Sequence, residues 1–188
     1  MAEHVILFAG PMGAGKSTAI ETLSEIEVVR TEAENTERDV VDKPTTTVAL
    51  DYGEITIGDE EKVRLYGVPG QRRFDFMWQI LRERAIGLVL LVNNDAPDPV
   101  AQMLEFLEEF GELYSRGGVV VGISRSDVSP TPSLAEYSAA LSAARPDALI
   151  PVFSVDARNE AHMRMVLMTL ILNIETRAAL APKGGAPV

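Results

Sequence analysis

The chain of 188 residues has no cysteine, which excludes disulfides, thiolate metal sites, a cysteine nucleophile and prenyl or palmitoyl anchors. No apolar run approaches the roughly 18 residues of a membrane span, no basic segment precedes the first apolar run, and Ala2 stands where N-myristoylation needs glycine. Neither a secretory signal nor a membrane anchor is therefore expected, and the expected location is cytoplasmic. Positive charge is scarce. Lys and Arg number 17 against 28 Asp and Glu, a net charge of −11, and nucleic acid is disfavoured as a partner. The two histidines, His4 and His162, have no second ligand at metal spacing and read as structural. There is no internal repeat. A chain of this length suits one domain, expected over 1–180, with the Pro- and Gly-containing stretch 181–188 as a flexible tail.

What is present is concentrated in one stretch. Gly10-Pro11-Met12-Gly13-Ala14-Gly15-Lys16-Ser17 matches GxxxxGK[ST] without a gap. Such a loop must let successive backbone N–H groups converge on a phosphate, so Gly10 and Gly15 stand where a side chain would block the approach. The amides of Met12, Gly13, Ala14 and Thr18 belong to the same cradle. Lys16 is placed to bridge the β- and γ-phosphates, and Ser17 offers a hard hydroxyl oxygen to Mg²⁺. The flanks agree: residues 4–8 form an apolar run that predicts a buried strand, and 18–26 predict a helix, the setting of an anion site at a helix N-terminus.

Farther along, the polar, acid-rich passage 27–44 has no clean period and reads as a long connection. Residues 48–57 alternate as a half-buried strand does, Gly58 opens a turn, and 62–67 return as the second arm of a hairpin. A helix is predicted over 74–85. The continuous apolar run 87–92 has the character of a central parallel strand. A helix then starts at Pro97 and Pro99 and runs through Phe110, followed by a strand at 119–123, a helix at 132–144, a strand at 149–153 and a closing helix at 160–179. The fold class is α/β: a P-loop NTPase with a doubly wound, mostly parallel six-stranded sheet and one antiparallel edge hairpin.

Three further stretches make the chain resemble the Ras-like small GTPases, and among them the bacterial MglA-like and conservon-type GTP-binding proteins. Thr45-Thr46-Thr47 precedes the second strand where the family has its switch threonine. Register favours Thr47 as the residue toward Mg²⁺ and the γ-phosphate, with Thr45 and Thr46 as alternatives. Val68-Pro69-Gly70-Gln71 resembles the VPGQ of the MglA-like group, which implies a γ-phosphate contact from Gly70 and a water-orienting Gln71, catalytic with Lys16. Ser124-Arg125-Ser126-Asp127 lies where NKxD is expected, and Asp156-Ala157-Arg158 resembles the SAK loop. The resemblance implies that Asp127 holds guanine, that Arg125 stacks over it and that the Ala157 N–H reaches O6. Ser124, in place of Asn, is expected not to repeat the bridging bonds of that residue.

The resemblance implies a GTP-binding switch that hydrolyses GTP to GDP slowly with Mg²⁺ as cofactor. Its implied partners are an effector and a GTPase-activating protein, with a roadblock-type protein among the candidates. Two departures stand out. Gly67 occupies the place of the Asp that usually ends the third strand and holds the metal through water, and Asp51 on the neighbouring strand is the candidate replacement. No arginine is plainly the finger that stabilises charge on the γ-phosphate. Arg72 and Arg73 read better as solvated charges, and Arg30 and Arg38 are weaker candidates. A GTP-binding module with negligible hydrolysis, and a P-loop ATPase or small-metabolite kinase, are the alternative readings. On the helix after Gln71, Phe74, Trp78 and Leu81 share one face while Phe76 and Ile80 point elsewhere, so a core face and an exposed aromatic patch are equally weighted.

Overall fold

The apolar run that begins at Gly87 becomes an interior strand of the sheet with a parallel neighbour on each side, and its side chains divide by period two. Leu88, Leu90 and Val92 enter the core on one face, and Val89 and Leu91 enter the core on the other. A computed structural model of the chain describes residues 4–33, 48–58, 61–70, 75–115 and 118–180, without the side chains of 31–33, 48, 49, 75–77 and 115. Strand β1 (His4–Ala9) leads through the glycine loop into helix α1 (Lys16–Leu23), and then come β2 (Val29–Ala33), β3 (Val48–Ile57) and β4 (Glu61–Gly67). Helix α2 (Asp75–Arg84), strand β5 (Ala85–Asn93), helices α3 (Pro99–Glu109) and α4 (Gly111–Ser115) and strand β6 (Val119–Ser124) follow. Helix α5 (Leu134–Ala144), strand β7 (Val152–Val155) and helix α6 (Glu160–Leu180) complete the order.

The strands lie in the order β2-β3-β4-β1-β5-β6-β7. The β2–β3 and β3–β4 pairs are antiparallel, and every other neighbour is parallel. Helices α1 and α6 cover one face, and α2, α3, α4 and α5 supply the core of the other. The described residues therefore carry seven strands rather than six. The additional one is β2, Val-Arg-Thr-Glu-Ala, inside the passage read as a connection. It lies at the sheet edge, where charged residues are favoured because they discourage further pairing, so it lacks the alternation by which a half-buried strand is recognised. The last strand also starts later than predicted: Pro151 contributes only its carbonyl, which accepts from Val121 N at 2.9 Å, and regular pairing begins at Val152. A separate short helix, α4, follows α3. The expected tail at 181–188 lies outside the described residues.

The aromatic helix face resolves at Trp78. Its ring is buried, lies 5.7 Å from Phe106 and 5.6 Å from Phe110, and donates its indole N–H to Pro69 O at 3.1 Å. Ile80 is 58% exposed, so α2 is one-sided at these two positions. Phe74 and the side chain of Phe76 fall outside the described residues. Among those residues no helix is long and apolar enough to cross a membrane.

A buried polar network anchors the loop between β6 and α5. Asn94, next after β5, donates through Nδ2 to Ser129 O (2.6 Å) and Pro132 O (3.1 Å), and its Oδ1 accepts from the Tyr137 hydroxyl at 2.6 Å. Burial pushes the Tyr137 phenol up to about 12, so it remains a donor across the physiological range. Tyr137→Phe is expected to cost about 1 kcal/mol of stability, and Asn94→Ala, which strands three partners in a buried setting, about 2 to 4 kcal/mol. Urea unfolding of the two variants measures both.

Candidate nucleotide site

At the carboxyl end of β1 the chain turns through Gly10, whose φ is +137° and whose missing Cβ would lie 2.0 Å from the Leu91 carbonyl oxygen. No other residue type can pass there. Gly13 and Gly15 also have positive φ, and Gly15 begins α1 in the left-handed conformation without a side-chain cap. The first intrahelical bond runs from Ala19 N to Gly15 O at 2.9 Å, which leaves the N–H groups ahead of it with no helical acceptor. Such amides at a helix start suit an anion by backbone alone.

Lys16 folds over this loop and donates from Nζ to Gly10 O at 2.8 Å and Pro11 O at 2.9 Å. Burial lowers its pKa to about 8, against the opposing pull of the Asp51 charge. Ser17 Oγ donates to Asp51 Oδ2 at 2.5 Å. Asp51 is 6% exposed and sits directly opposite Gly67 in the β3–β4 register. A Cβ on Gly67 would lie 3.1 Å from the Asp51 Cβ and 3.2 Å from its Oδ2, so the glycine makes room for the carboxylate across the hairpin. The other oxygen, Oδ1, is 3.4 Å from Arg30 Nε, and Arg30 also pairs with Glu21.

Gly70 packs against the same loop. Its absent Cβ would lie 2.7 Å from Gly10 O and 2.9 Å from Met12 N, and the Trp78 bond to Pro69 O secures the segment from behind. Met12 exposes its side chain. Thr45, Thr46, Thr47, Gln71, Arg72, Arg73 and Arg38 lie outside the described residues.

On the far side of the loop a cavity of about 370 Å³ is lined by Gly13, Ala14, Gly15, Thr18, Ser124, Arg125, Asp127, Val128, Val155, Asp156, Ala157 and Arg158. Both candidate base loops therefore meet the phosphate loop in one hollow. The buried hydroxyl of Ser124 lies 3.3 Å from Ala14 O and 3.2 Å from Val92 O, and its one proton can go to either, so it reaches from β6 to the phosphate loop with a single bond. Close approach of the β6 end makes a short side chain sufficient. Arg125 has φ of +58°, unusual for a residue with a side chain, and its guanidinium pairs with Asp95 at 3.4 Å. Arg158 is folded onto Asp156 through Nε (2.9 Å) and Nη2 (2.8 Å), which holds the Asp156 carboxyl down at about 2. Motif reading missed Thr22 and Asn94, and it gave His162 no more than a structural part. Thr22 Oγ1 donates to Ala157 O at 2.8 Å, and His162 Nδ1 accepts from Asp156 N at 3.1 Å. The first joins residues 135 positions apart and has no local sequence signal, whereas the second spans six positions, from the loop to the start of α6.

A glycine loop from the first parallel strand into a helix, on a sheet of this order, is the architecture of a P-loop NTPase, a nucleotide-binding protein. Residues 27–174 match the model of a family described as conserved hypothetical ATP binding protein, and the chain belongs to that family. Over 90 residues it is 32% identical to an uncharacterized protein of Methanocaldococcus jannaschii. That match takes in 47% of this chain and 51% of the other, so the chain spans about half the length of the curated relative it matches. Among solved structures, the Arl6 BBS3 small GTPase of Trypanosoma brucei with bound GppNp has a TM-score of 0.66 at 14% identity, over 95% of this chain and 99% of that one. At that identity the likeness shows the Ras-like P-loop fold.

Lys16 gives a pH signature with a definite sign. Phosphates favour the ammonium form, whereas the empty site loses the proton near pH 8. Nucleotide affinity is expected to fall about tenfold per pH unit above that point, with proton uptake on binding, and to be flat in Lys16→Gln. Calorimetry in buffers of different ionisation enthalpy reads the uptake. The stability of the empty protein moves the other way. Above pH 8 the folded state has shed a proton that the unfolded chain keeps toward 10.5, so this group stabilises folding as pH rises through that window.

Proposed function

We propose that the protein is a guanine-nucleotide switch of MglA-like type that binds GTP with Mg²⁺ and hydrolyses it slowly. The observation that carries this reading is the shared hollow, in which Asp127 and the Ala157 loop face the glycine loop. A carboxylate there accepts from two adjacent donors of guanine, N1–H and N2–H, a pair that adenine does not present. The Ala157 N–H donates to O6, where adenine has an amino group. The Ser124 hydroxyl on Ala14 O keeps this half in register with the phosphates.

The residues at the phosphate end suit the magnesium that accompanies a nucleoside triphosphate. Ser17 and Asp51 present two hard oxygens 2.5 Å apart, and among the described residues no cluster of three or more His, Asp or Glu makes a metal cage without a nucleotide. When bound there, Mg²⁺ would offset phosphate charge. Lys16 leaves the carbonyls of Gly10 and Pro11 to bind phosphate oxygens, and the α1 amides hold the rest. By resemblance Thr47 and Gln71 act from the switch segments, Gln71 orienting the attacking water. With no arginine assigned to the γ-phosphate, turnover is slow until a partner reorganises the site. An effector and a GTPase-activating protein, with a roadblock-type protein as candidate, are the partners of this reading.

ATP is the second reading, favoured by the description of the matching family. Titrating nucleotide-free protein with GDP, GTP, ADP and ATP, with and without Mg²⁺, separates the two. Magnesium-sensitive binding of guanine nucleotides about 100-fold or more tighter than adenine is expected, the worth of about two hydrogen bonds. Equal or tighter adenine binding would move the assignment to an ATPase.

The transposed carboxylate supplies a sharper test of the metal end. Asp51→Asn should weaken Mg²⁺ dependence of GTP affinity about tenfold or more, whereas Gly67→Asp alone should destabilise the fold by crowding Asp51 and Ile20. The double change Asp51→Gly with Gly67→Asp, which moves the carboxylate back across the hairpin, should recover metal dependence. Unchanged magnesium dependence in Asp51→Asn removes that residue from the metal site.

A further inference from the structure

Two side chains that do not line the cavity hold its Asp156–Arg158 wall from opposite directions. Thr22 lies on α1, the helix whose first turn belongs to the phosphate loop, and its hydroxyl donates to Ala157 O at 2.8 Å across 135 positions of sequence. From the other side the His162 ring accepts the Asp156 N–H at Nδ1 (3.1 Å), while the His162 N–H is held by Asn159 Oδ1 at 3.2 Å. An accepting Nδ1 places the ring proton on Nε2.

Within the loop the remaining groups are also engaged. Asn159 N donates to Asp156 O at 2.9 Å, and Arg158 N donates to Asp156 Oδ1 at 2.9 Å. Ala157 itself abuts the phosphate loop, since a Cβ on Gly15 would lie 3.0 Å from the Ala157 Cβ. Among the described residues none accepts from the Ala157 N–H. The loop thus directs a single backbone donor, and its height above the cavity is set by bonds to α1 on one side and α6 on the other.

We propose that Thr22 and His162 are positioning residues for nucleobase choice: by clamping the Ala157 loop between α1 and α6 they fix the donor that selects 6-oxopurines over 6-aminopurines. This rests on the reading of the cavity as the base site. The clamp ties the base wall to the same helix that holds the phosphates, so the distance from phosphate to base is set by a rigid element rather than by the loop. Losing either bond lets the loop drift without disturbing the α1 N-terminus. Discrimination then falls while the contribution of the phosphates stays.

The test compares GDP, IDP and ADP affinities across Thr22→Val, Thr22→Ser, His162→Phe and His162→Asn. IDP keeps the 6-oxo group and lacks the 2-amino group, which isolates the Ala157 contact from that of Asp127. Thr22→Val and His162→Phe are expected to reduce the IDP-to-ADP preference about tenfold, the worth of one hydrogen bond in such a site. Thr22→Ser, which keeps the hydroxyl, and His162→Asn, whose amide oxygen can take the Asp156 N–H, should retain the preference. ADP affinity should stay within about twofold throughout. An unchanged preference in the Val and Phe variants overturns the proposal, and so does a parallel loss of ADP binding, which would mark a merely structural role. A wild-type protein with no 6-oxopurine preference overturns the base-site reading first, and this one with it.

Discussion

The passage of Gly10 over the Leu91 carbonyl is the constraint on which the site depends. At 2.0 Å from a would-be Cβ to that oxygen, the turn out of β1 is possible only for glycine, and it takes the loop directly over the carboxyl end of β5. The apolar strands beneath cannot yield, because β1 and β5 are paired in the sheet and buried on both faces. Everything at this edge is placed by reference to that turn. The start of α1, the seat of Gly70 and the reach of Ser124 to Ala14 O all follow from where the loop is forced to lie.

The corner where Ser17 meets Asp51 shows how such an edge tolerates a change of residue. Where the resemblance expects an acid on β4, the chain has Gly67, and a buried acid stands on the opposite strand. Antiparallel pairing brings Asp51 and Gly67 face to face, so a carboxylate can be carried by either strand while the other gives up its side chain. Arg30 on β2 then lies against the outer oxygen of Asp51, which moderates the cost of burying that charge. The extra edge strand is thus part of the site's electrostatics as well as of the sheet.

The glycine loop, the central strand and the helix order were legible because each has a local signature: fixed glycine spacing, a continuous apolar run, a 3.6-residue period. Asp51 was legible as a candidate for the acid missing at Gly67, from its spacing after Thr47 and its place on the neighbouring strand, but its position directly opposite Gly67 was not. Strand β2 was not, because an exposed edge strand of mixed charge has no apolar face to read. Nor were the Thr22, Asn94 and His162 contacts. Thr22 and Asn94 reach backbone groups 135 and 35 positions away, and His162 reaches back six positions to the preceding loop, a bond that matches none of the motifs read. The reach of Ser124 was not legible for a related reason: whether a short hydroxyl can touch the phosphate loop depends on how closely β6 approaches it, a distance that no single residue specifies.

A chain of net charge −11 that binds an anion has to do so against its own field. Over more than about 8 Å that field is screened at physiological salt, so local donors decide. Those donors are backbone dipoles of the loop and the first turn of α1, which carry no side-chain charge and need no counter-ion. Among the described residues Lys16 is the one full positive charge within the loop itself, and its lowered pKa records that burial disfavours a cation there until phosphate arrives. The lysine and the backbone dipoles therefore act at one place: Gly10 O and Pro11 O hold the ammonium over the loop at 2.8 and 2.9 Å, where a phosphate drawn by the amides would meet it and favour its charged form.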